Sequence, residues 1–227
     1  QSIDEDHLFL RHDKGLLRSQ DGGKHFKLLE PAGLSGHSLN LIRFSTAQRG
    51  LLLSGEGAVF RTEDGGSSAS SVSLPAACVP VDAAYFDASR AIIACANGTI
   101  LGSENGGRRF VTVRASSAGE TLTGIAVARH SGVGWVFGNA NSAPFLRTTD
   151  GGRTFRSVPR PPDGVERVVA ISEEEALVAG SSLQWTRNGG QTWTSTEHPP
   201  GEIFASGSFG RTVYVETEQA VWRTQLP

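Results

Sequence analysis

A tandemly repeated all-β fold is what this chain of 227 residues predicts, on three observations. A turn phrase recurs five times: Ser19-Gln20-Asp21-Gly22-Gly23, Thr62-Glu63-Asp64-Gly65-Gly66, Ser103-Glu104-Asn105-Gly106-Gly107, Thr148-Thr149-Asp150-Gly151-Gly152 and Thr186-Arg187-Asn188-Gly189-Gly190. Its third residue falls at positions 21, 64, 105, 150 and 188, a period of roughly 40 residues, as in propeller-type arrays. Glycine is abundant, at 28 residues, which suits a fold made of hairpins. Between the turns lie short apolar runs of strand length, rich in Val, Ile, Leu, Ala and Phe.

Taken in order, these runs make six outward hairpins: Leu8 to Arg18, Leu51 to Arg61, Ile92 to Leu101, Trp135 to Arg147, Leu177 to Thr186 and Val213 to Arg223. Inner strands precede all but the first, at Leu39 to Phe44, Val81 to Phe86, Leu122 to Ala128, Val165 to Ile171 and Ile203 to Ser208. Their composition predicts strands covered on both faces. The sum is 22 strands, with three in the first and last repeats. Six hairpins predict a single propeller domain spanning 1–227 with six blades. Five blades, or part of a seven-bladed ring, are the alternatives.

Each turn follows one plan. Asp-Gly and Asn-Gly favour a tight bend because Asn, Asp and Gly tolerate positive φ, and the side-chain oxygen can bond amides across the bend. Asp21, Asp64, Asn105, Asp150 and Asn188 are therefore read as turn latches. An aromatic follows three residues after the second glycine, at Phe26, Phe110, Phe155 and Trp193, with Ala69 in the second copy. These rings are expected to open the next strand and to bury between neighbouring blades.

The pattern S/T-x-D/N-G-G followed by F/W resembles the Asp-box, or BNR repeat, of sialidases, sortilin-type receptors, some glucan hydrolases and photosystem II assembly-factor-like propellers. The resemblance covers residues 19 to 193. It implies one copy per blade, and it leaves function open, since one architecture hosts enzymes, receptors and assembly factors.

Composition narrows the classes. Net charge is −2 with no long run of either sign, so the chain has no basic footprint for nucleic acid and no polybasic membrane patch. No apolar stretch approaches transmembrane length. The sequence has no Met and opens at Gln1 on a polar, acidic segment, which reads as a mature product or a trimmed chain; removal of a secretory signal peptide is the commonest natural cause and predicts a periplasmic or secreted location. Cys78 lies just ahead of one inner strand, and Cys95 ends the strand paired with it. A disulfide across that short loop and two unlinked cysteines are both open. Two cysteines cannot close a zinc site, the six histidines show no ligand spacing, and no metal or cofactor is expected.

The turns lie on one face of each blade, and the loops entering inner strands lie on the other, with those inside the outward hairpins. This loop face varies most in length and chemistry, and scaffolded loops carry binding residues. Arg11, His12 and Lys14 fall there, and the candidate binding residues are His37, Arg114, Asn139, Asn141, Arg160 and His198, a set suited to carboxylates on a partner. Pro159 and Pro161-Pro162 hold Arg160 extended. Arg43, in an inner strand, is a candidate to face a central channel, the alternative being a carboxylate in the core.

Catalytic patterns are weak. Only Tyr85 and Tyr214 are available as a sialidase-type nucleophile, and the arginine-containing F/Y-R-I-P signature is missing. Asp82, Asp87, Glu120, Glu202 and Glu216 show no pairing of the kind a glycosidase needs. Among Asp-box proteins the chain is most similar to the photosystem II stability and assembly factor-like propellers. That resemblance implies a non-enzymatic, exported scaffold that binds a protein partner such as a membrane protein complex. A glycan-binding propeller is the alternative, requiring Trp135, Trp185 and Trp222 to face solvent, and a sialidase-like hydrolase is a further one.

Overall fold

A computed structural model of the chain describes residues 1–75, 77–128, 131–140, 142–196, 203–209, 212–217 and 221–225. It is built of antiparallel strands, with 22 among the described residues. They form two compact units, residues 1–117 and 118–227.

The first unit holds three sheets. β1 (Leu8–His12), β2 (Gly15–Ser19) and β3 (Lys27–Leu29) form the first. β4 (Leu39–Phe44), β5 (Gly50–Ser54), β6 (Val59–Thr62) and β7 (Ser70–Val72) form the second, and β8 (Pro80–Tyr85), β9 (Ala91–Cys95), β10 (Ile100–Ser103) and β11 (Val111–Arg114) the third. The second unit repeats the plan. Its sheets are β12 (Gly124–Val127), β13 (Gly134–Phe137), β14 (Phe145–Thr148) and β15 (Arg156–Ser157), then β16 (Arg167–Ala170), β17 (Ala176–Ala179), β18 (Leu183–Thr186) and β19 (Thr194–Thr196), and last β20 (Ile203–Phe209), β21 (Thr212–Thr217) and β22 (Val221–Gln225). Every sheet runs in sequence order, because short hairpins can join only antiparallel neighbours. Six sheets of three and four strands are compatible with six repeats.

Burial corrects one expectation about the inner strands. They are not the fully covered ones: β4 and β16 mix buried, half-buried and exposed positions, whereas β5, β9, β13 and β17 are buried throughout. Each inner strand is the edge of its sheet, so the second strand, flanked by partners on both sides, lies deeper.

Apolar clusters join consecutive sheets. Phe9, Leu16 and Leu29 pack with Leu39, Ile42, Phe44, Leu52 and Phe60, and the rings of Phe9 and Phe44 stack at 3.7 Å. Leu51, Leu53, Val59 and Val72 pack with Ala83, Ile93, Leu101 and Phe110. In the second unit Trp135, Phe137 and Phe145 meet Ala176 and Val178. Area buried in these layers is the main favourable term in folding.

The first sheet was expected to lack an inner strand. Residues 1–6 partly fill that place. Ser2 bridges Leu8, Gln1 and Phe9 exchange backbone hydrogen bonds, and the Gln1 side chain bonds both backbone groups of Phe44, at 2.8 and 2.9 Å.

Candidate functional site

The five turns share one geometry. The hydroxyl of Ser19, Thr62, Ser103, Thr148 or Thr186 accepts from the second glycine's amide at 2.8–3.0 Å. The same hydroxyl donates to Oδ1 of Asp21, Asp64, Asn105, Asp150 or Asn188 at 2.8–2.9 Å. That Oδ1 accepts an amide four residues on, from His25, Ser68, Arg109, Thr154 or Thr192, at 2.9–3.0 Å. The latch reading therefore describes the turns as they are built, and it leaves their carboxylates committed to the bend.

These bonds set the acidity. Burial pushes the Asp150 carboxyl up, but the Thr154 hydroxyl and amide, with Thr148 and the Arg153 amide, outweigh it and hold the group at about 2. The His25 amide and ring, with the Ser19 hydroxyl, hold Asp21 below the usual carboxylate range. Charge favours the ionised form wherever several donors converge on it.

The aromatics after the turns divide. Phe110 is buried between the second and third sheets, and Trp193 lies edge-on to Trp135 and Phe145 of the preceding sheet at 6.0 and 5.7 Å. Phe155 is half-buried. Phe26 does not bury as expected and is 40% exposed.

Sequence reasoning missed the arginine that precedes the hydroxyl residue. Arg18 donates to the carbonyls of Asp64 and Gly65 in the next turn, at 3.3 and 3.2 Å. Arg61 donates to Gly106 O at 2.6 Å and pairs with Glu63, which also takes Arg108. Arg147 lies against Gly189, where a Cβ would fall 2.8 Å from the guanidinium, and it bonds Glu173 O and Glu174. The signal was present: Arg18, Arg61, Arg147 and Arg223 occupy the same position ahead of Ser19, Thr62, Thr148 and Thr224. Each observed brace ties one repeat to the next.

At the opposite end the entry loops are clamped to the hairpin bends. Ser38 Oγ donates to Glu56 at 2.7 Å, and Gly55 N to Ser38 O. Hydrogen bonds from the Ser38 and Ser54 hydroxyls lower Glu56 to about 2. His37 stands 3.5 Å from the same carboxylate and tilts against Phe60. In the third sheet Cys78 and Cys95 form a disulfide, flanked by Ala96 N to Val79 O and Asn97 Nδ2 to Ala77 O. Arg114 donates to Gly98 O at 3.0 Å. Arg160 donates to Gly138 O, Asn139 O and Ala143 O at 2.9, 3.2 and 3.2 Å, and burial lowers its pKa. Asp163 takes Ser182 and Gln184 and receives Ser181 N on its carbonyl.

Arg114 and Arg160 are thus braces on backbone carbonyls, while Asn139 is exposed. Asn141 and His198 lie outside the described residues. Arg43 reaches the neighbouring inner strand, donating to Asp82 at 2.9 Å and to Ala83 O at 2.9 Å, so the core carboxylate is its partner.

Three of the residues weighed for catalysis have other work. Tyr85 is half-buried, its hydroxyl pushed up in pKa and hydrogen-bonded to Gly106 O. Asp87 caps its own turn through Ser89 and Arg90, and Asp82 holds Arg43. Glu202 lies outside the described residues. Among the tryptophans Trp135 is fully buried, the Arg187 guanidinium covers Trp185 at 4.1 Å, and Trp222 is 44% exposed. Among the described residues no group of three or more His, Cys, Asp and Glu is placed to hold a metal ion, and no helix is long and apolar enough to cross a membrane.

The sequence matches no family model and no curated protein. Solved structures do resemble it. YCF48 from Cyanidioschyzon merolae is 14% identical with a TM-score of 0.50, over 99% of this chain and 93% of that one. A second structure, YCF48 bound to D1 peptide, is 16% identical with a TM-score of 0.50, covering 99% and 91%. The GH74 xyloglucanase from Xanthomonas campestris is 15% identical with a TM-score of 0.68, over 98% of this chain and 43% of that one. The chain therefore spans less than half of that enzyme. Likeness at these identities shows the fold, and the fold is of the β-propeller class.

Proposed function

We propose that this chain is a binding scaffold whose loop face takes a protein segment. The observation that carries this reading is the clamping of three entry loops, those before β4, β8 and β16, to hairpin bends, through Ser38 and Glu56, the Cys78–Cys95 disulfide, Arg160 and Asp163. Loops fixed before a partner arrives lose little conformational entropy on binding, which raises affinity without added contacts. Braces such as Arg114 and Arg160 are positioning residues in this reading, and Arg11, Lys14, His37 and Asn139, each exposed, are the contacting groups. A protein of the same fold has been solved with a peptide bound, which supports a protein ligand for this one. The partner is an acidic segment of a membrane protein complex, and the disulfide favours an exported, oxidising compartment.

The test is selection of peptides from a random display library on the folded chain, followed by affinity measurement on Arg11→Glu, Asn139→Glu and Arg153→Glu variants. Selected acidic peptides should lose about tenfold or more in affinity with the two loop-face changes and keep it with Arg153→Glu on the turn face. Peptides indifferent to the loop face, or turnover of a glucan or sialoside by the purified chain, would reject the scaffold reading.

A further inference from the structure

The loop joining β13 to β14 is shaped around one guanidinium. Arg160 Nη2 donates to Gly138 O at 2.9 Å and to Asn139 O at 3.2 Å, and Nη1 to Ala143 O at 3.2 Å. The chain that carries the arginine is held in turn. Val158 N donates to Phe145 O, Trp193 Nε1 donates to Pro159 O at 2.9 Å, and Pro161 favours an extended backbone at Arg160. At the start of the loop Gly138 lies against the segment entering β12, where a Cβ would fall 2.1 Å from Thr121 O. The position of this loop is therefore set without a ligand.

Its backbone acceptors are taken up and its donors are not. Ala140 O accepts from Ala143 N at 2.9 Å, and Pro144 O from Gly138 N at 3.3 Å, so the carbonyls of Gly138, Asn139, Ala140, Ala143 and Pro144 all have donors. Among the described residues the N–H groups of Asn139 and Ala140 meet no acceptor, and both residues are exposed. Their direction follows from the peptide plane. Every peptide bond is trans, so each N–H points opposite to the carbonyl bonded to the same carbon. The carbonyls of Gly138 and Asn139 both end on Arg160 Nη2, and the N–H groups of Asn139 and Ala140 therefore both point away from it. Two successive amides aimed to one side form an anion-binding concavity. The guanidinium behind them adds a positive charge and polarises both peptides in the same sense.

We infer that the paired N–H groups of Asn139 and Ala140 bind a carboxylate on the partner segment, with Arg160 as the positioning residue behind them. The inference rests on the reading of the loop face as a protein-binding surface, and it places one contact there. A ligand for this loop must be an acceptor, since the carbonyls that could receive a donor are engaged. It is an anion because the field of Arg160 favours one, and a carboxylate has an oxygen for each of the two donors. Because the amides are already aligned, little ordering is needed on binding.

Amide chemical shifts of the 15N-labelled chain, titrated with an end-blocked triglutamate peptide, read the site directly. The amide protons of Asn139 and Ala140 should move downfield together and saturate, and end-blocked triglutamine should leave them in place. Acetate at matched carboxylate concentration tells a free small acid from a peptide side chain, and the peptide should half-saturate both amides at a concentration about tenfold lower. Arg160→Gln should weaken the peptide about tenfold, and Arg160→Lys, which keeps the charge behind the loop, should recover part of the loss. A role in folding alone would not follow charge in this way, and melting temperatures check that each variant folds. Acidic peptides selected by display on the folded chain are titrated alongside. If these bind while the amides of Asn139 and Ala140 stay unmoved, the site is overturned and the scaffold reading stands. Saturation of the two amides by triglutamate where display yields no binder would keep the site and reject the scaffold. Acetate as effective as the peptide would overturn the assignment to a peptide side chain.

Discussion

At the residue scale the turns show how one bend accommodates two chemistries. At Asp150 the Thr154 hydroxyl donates to Oδ2 at 2.6 Å. At Asn188 the equivalent hydroxyl of Thr192 accepts from Nδ2 at 2.9 Å. A hydroxyl can take either part by rotation, so Asn replaces Asp without loss of a bond. Asp150→Asn is therefore expected to melt within about 0.5 kcal/mol of the parent, whereas Asp150→Ala, which leaves several amides and hydroxyls without an acceptor, should cost about 1–2 kcal/mol. Chemical denaturation of the two variants checks this. A brace is less forgiving. Arg61 is buried and donates from Nε and Nη2 to two separate acceptors, a fork that an ammonium cannot reproduce. Arg61→Lys should recover less than half of the roughly 2 kcal/mol lost in Arg61→Ala, read from the same denaturation curves.

At the element scale the second glycine of three turns is fixed by two constraints. Gly66 has φ +88° and lies against Leu16 of the preceding sheet, where a Cβ would fall 2.9 Å from the leucine side chain. Gly107 and Gly190 stand likewise against Leu51 and Trp135. The turn is therefore a packing surface as well as a bend. Gly36 has a similar φ of +81° with open space where a Cβ would go. Gly36→Ala should cost only the left-handed backbone strain, about 1–2 kcal/mol, and Gly66→Ala clearly more, because the leucine must shift in a close-packed layer. Melting temperatures of the two variants separate strain from contact. The disulfide acts on a different element, the loop entering β8. Reductant should lower the melting temperature of the parent and leave that of a Cys78→Ser, Cys95→Ser double variant unchanged, the loss being at most about 3 kcal/mol for a loop of this length.

Across the whole molecule the sequence made the strands and turns legible for one reason. Both are local patterns, a run of β-forming residues and an Asp/Asn-Gly-Gly bend, and neighbours in sequence pair in space. What it hid was relational. Arg160 among prolines looked poised for a ligand, and only the fold brings Gly138, Asn139 and Ala143 carbonyls around it. Phe26 obeys the same motif as Phe110, yet it is 40% exposed where Phe110 is buried, a difference the motif itself does not carry. The inner strands read as doubly covered because composition does not report an edge.

One consequence belongs to the molecule as a whole, because carboxylates throughout it are shifted the same way. Hydrogen bonds and neighbouring cations lower Asp4, Asp21, Glu56, Glu63, Asp64, Asp87 and Asp150 from their ordinary values. In the unfolded chain such groups titrate near 4. A carboxyl whose folded pKa is depressed contributes stability that is complete above the unfolded value and is lost as pH falls through the folded one. In acid the chain should therefore take up protons on unfolding, with these carboxylates leaving stability flat at neutral pH and lowering it from about pH 4 towards about pH 2. The partners distinguish the contributions. Asp64, Asp87 and Asp150 are held in part by hydroxyls and amides of their own turns, whereas Glu63 is held first by Arg61 and Arg108. Added salt screens ion pairs more than short local hydrogen bonds, so most of the acid transition should persist at high ionic strength. Unfolding free energy measured against pH at low and high salt reads both effects. A stability that rises on acidification from neutral pH would contradict the carboxylate account, and a transition abolished by salt would show that ion pairs, not turn latches, dominate it.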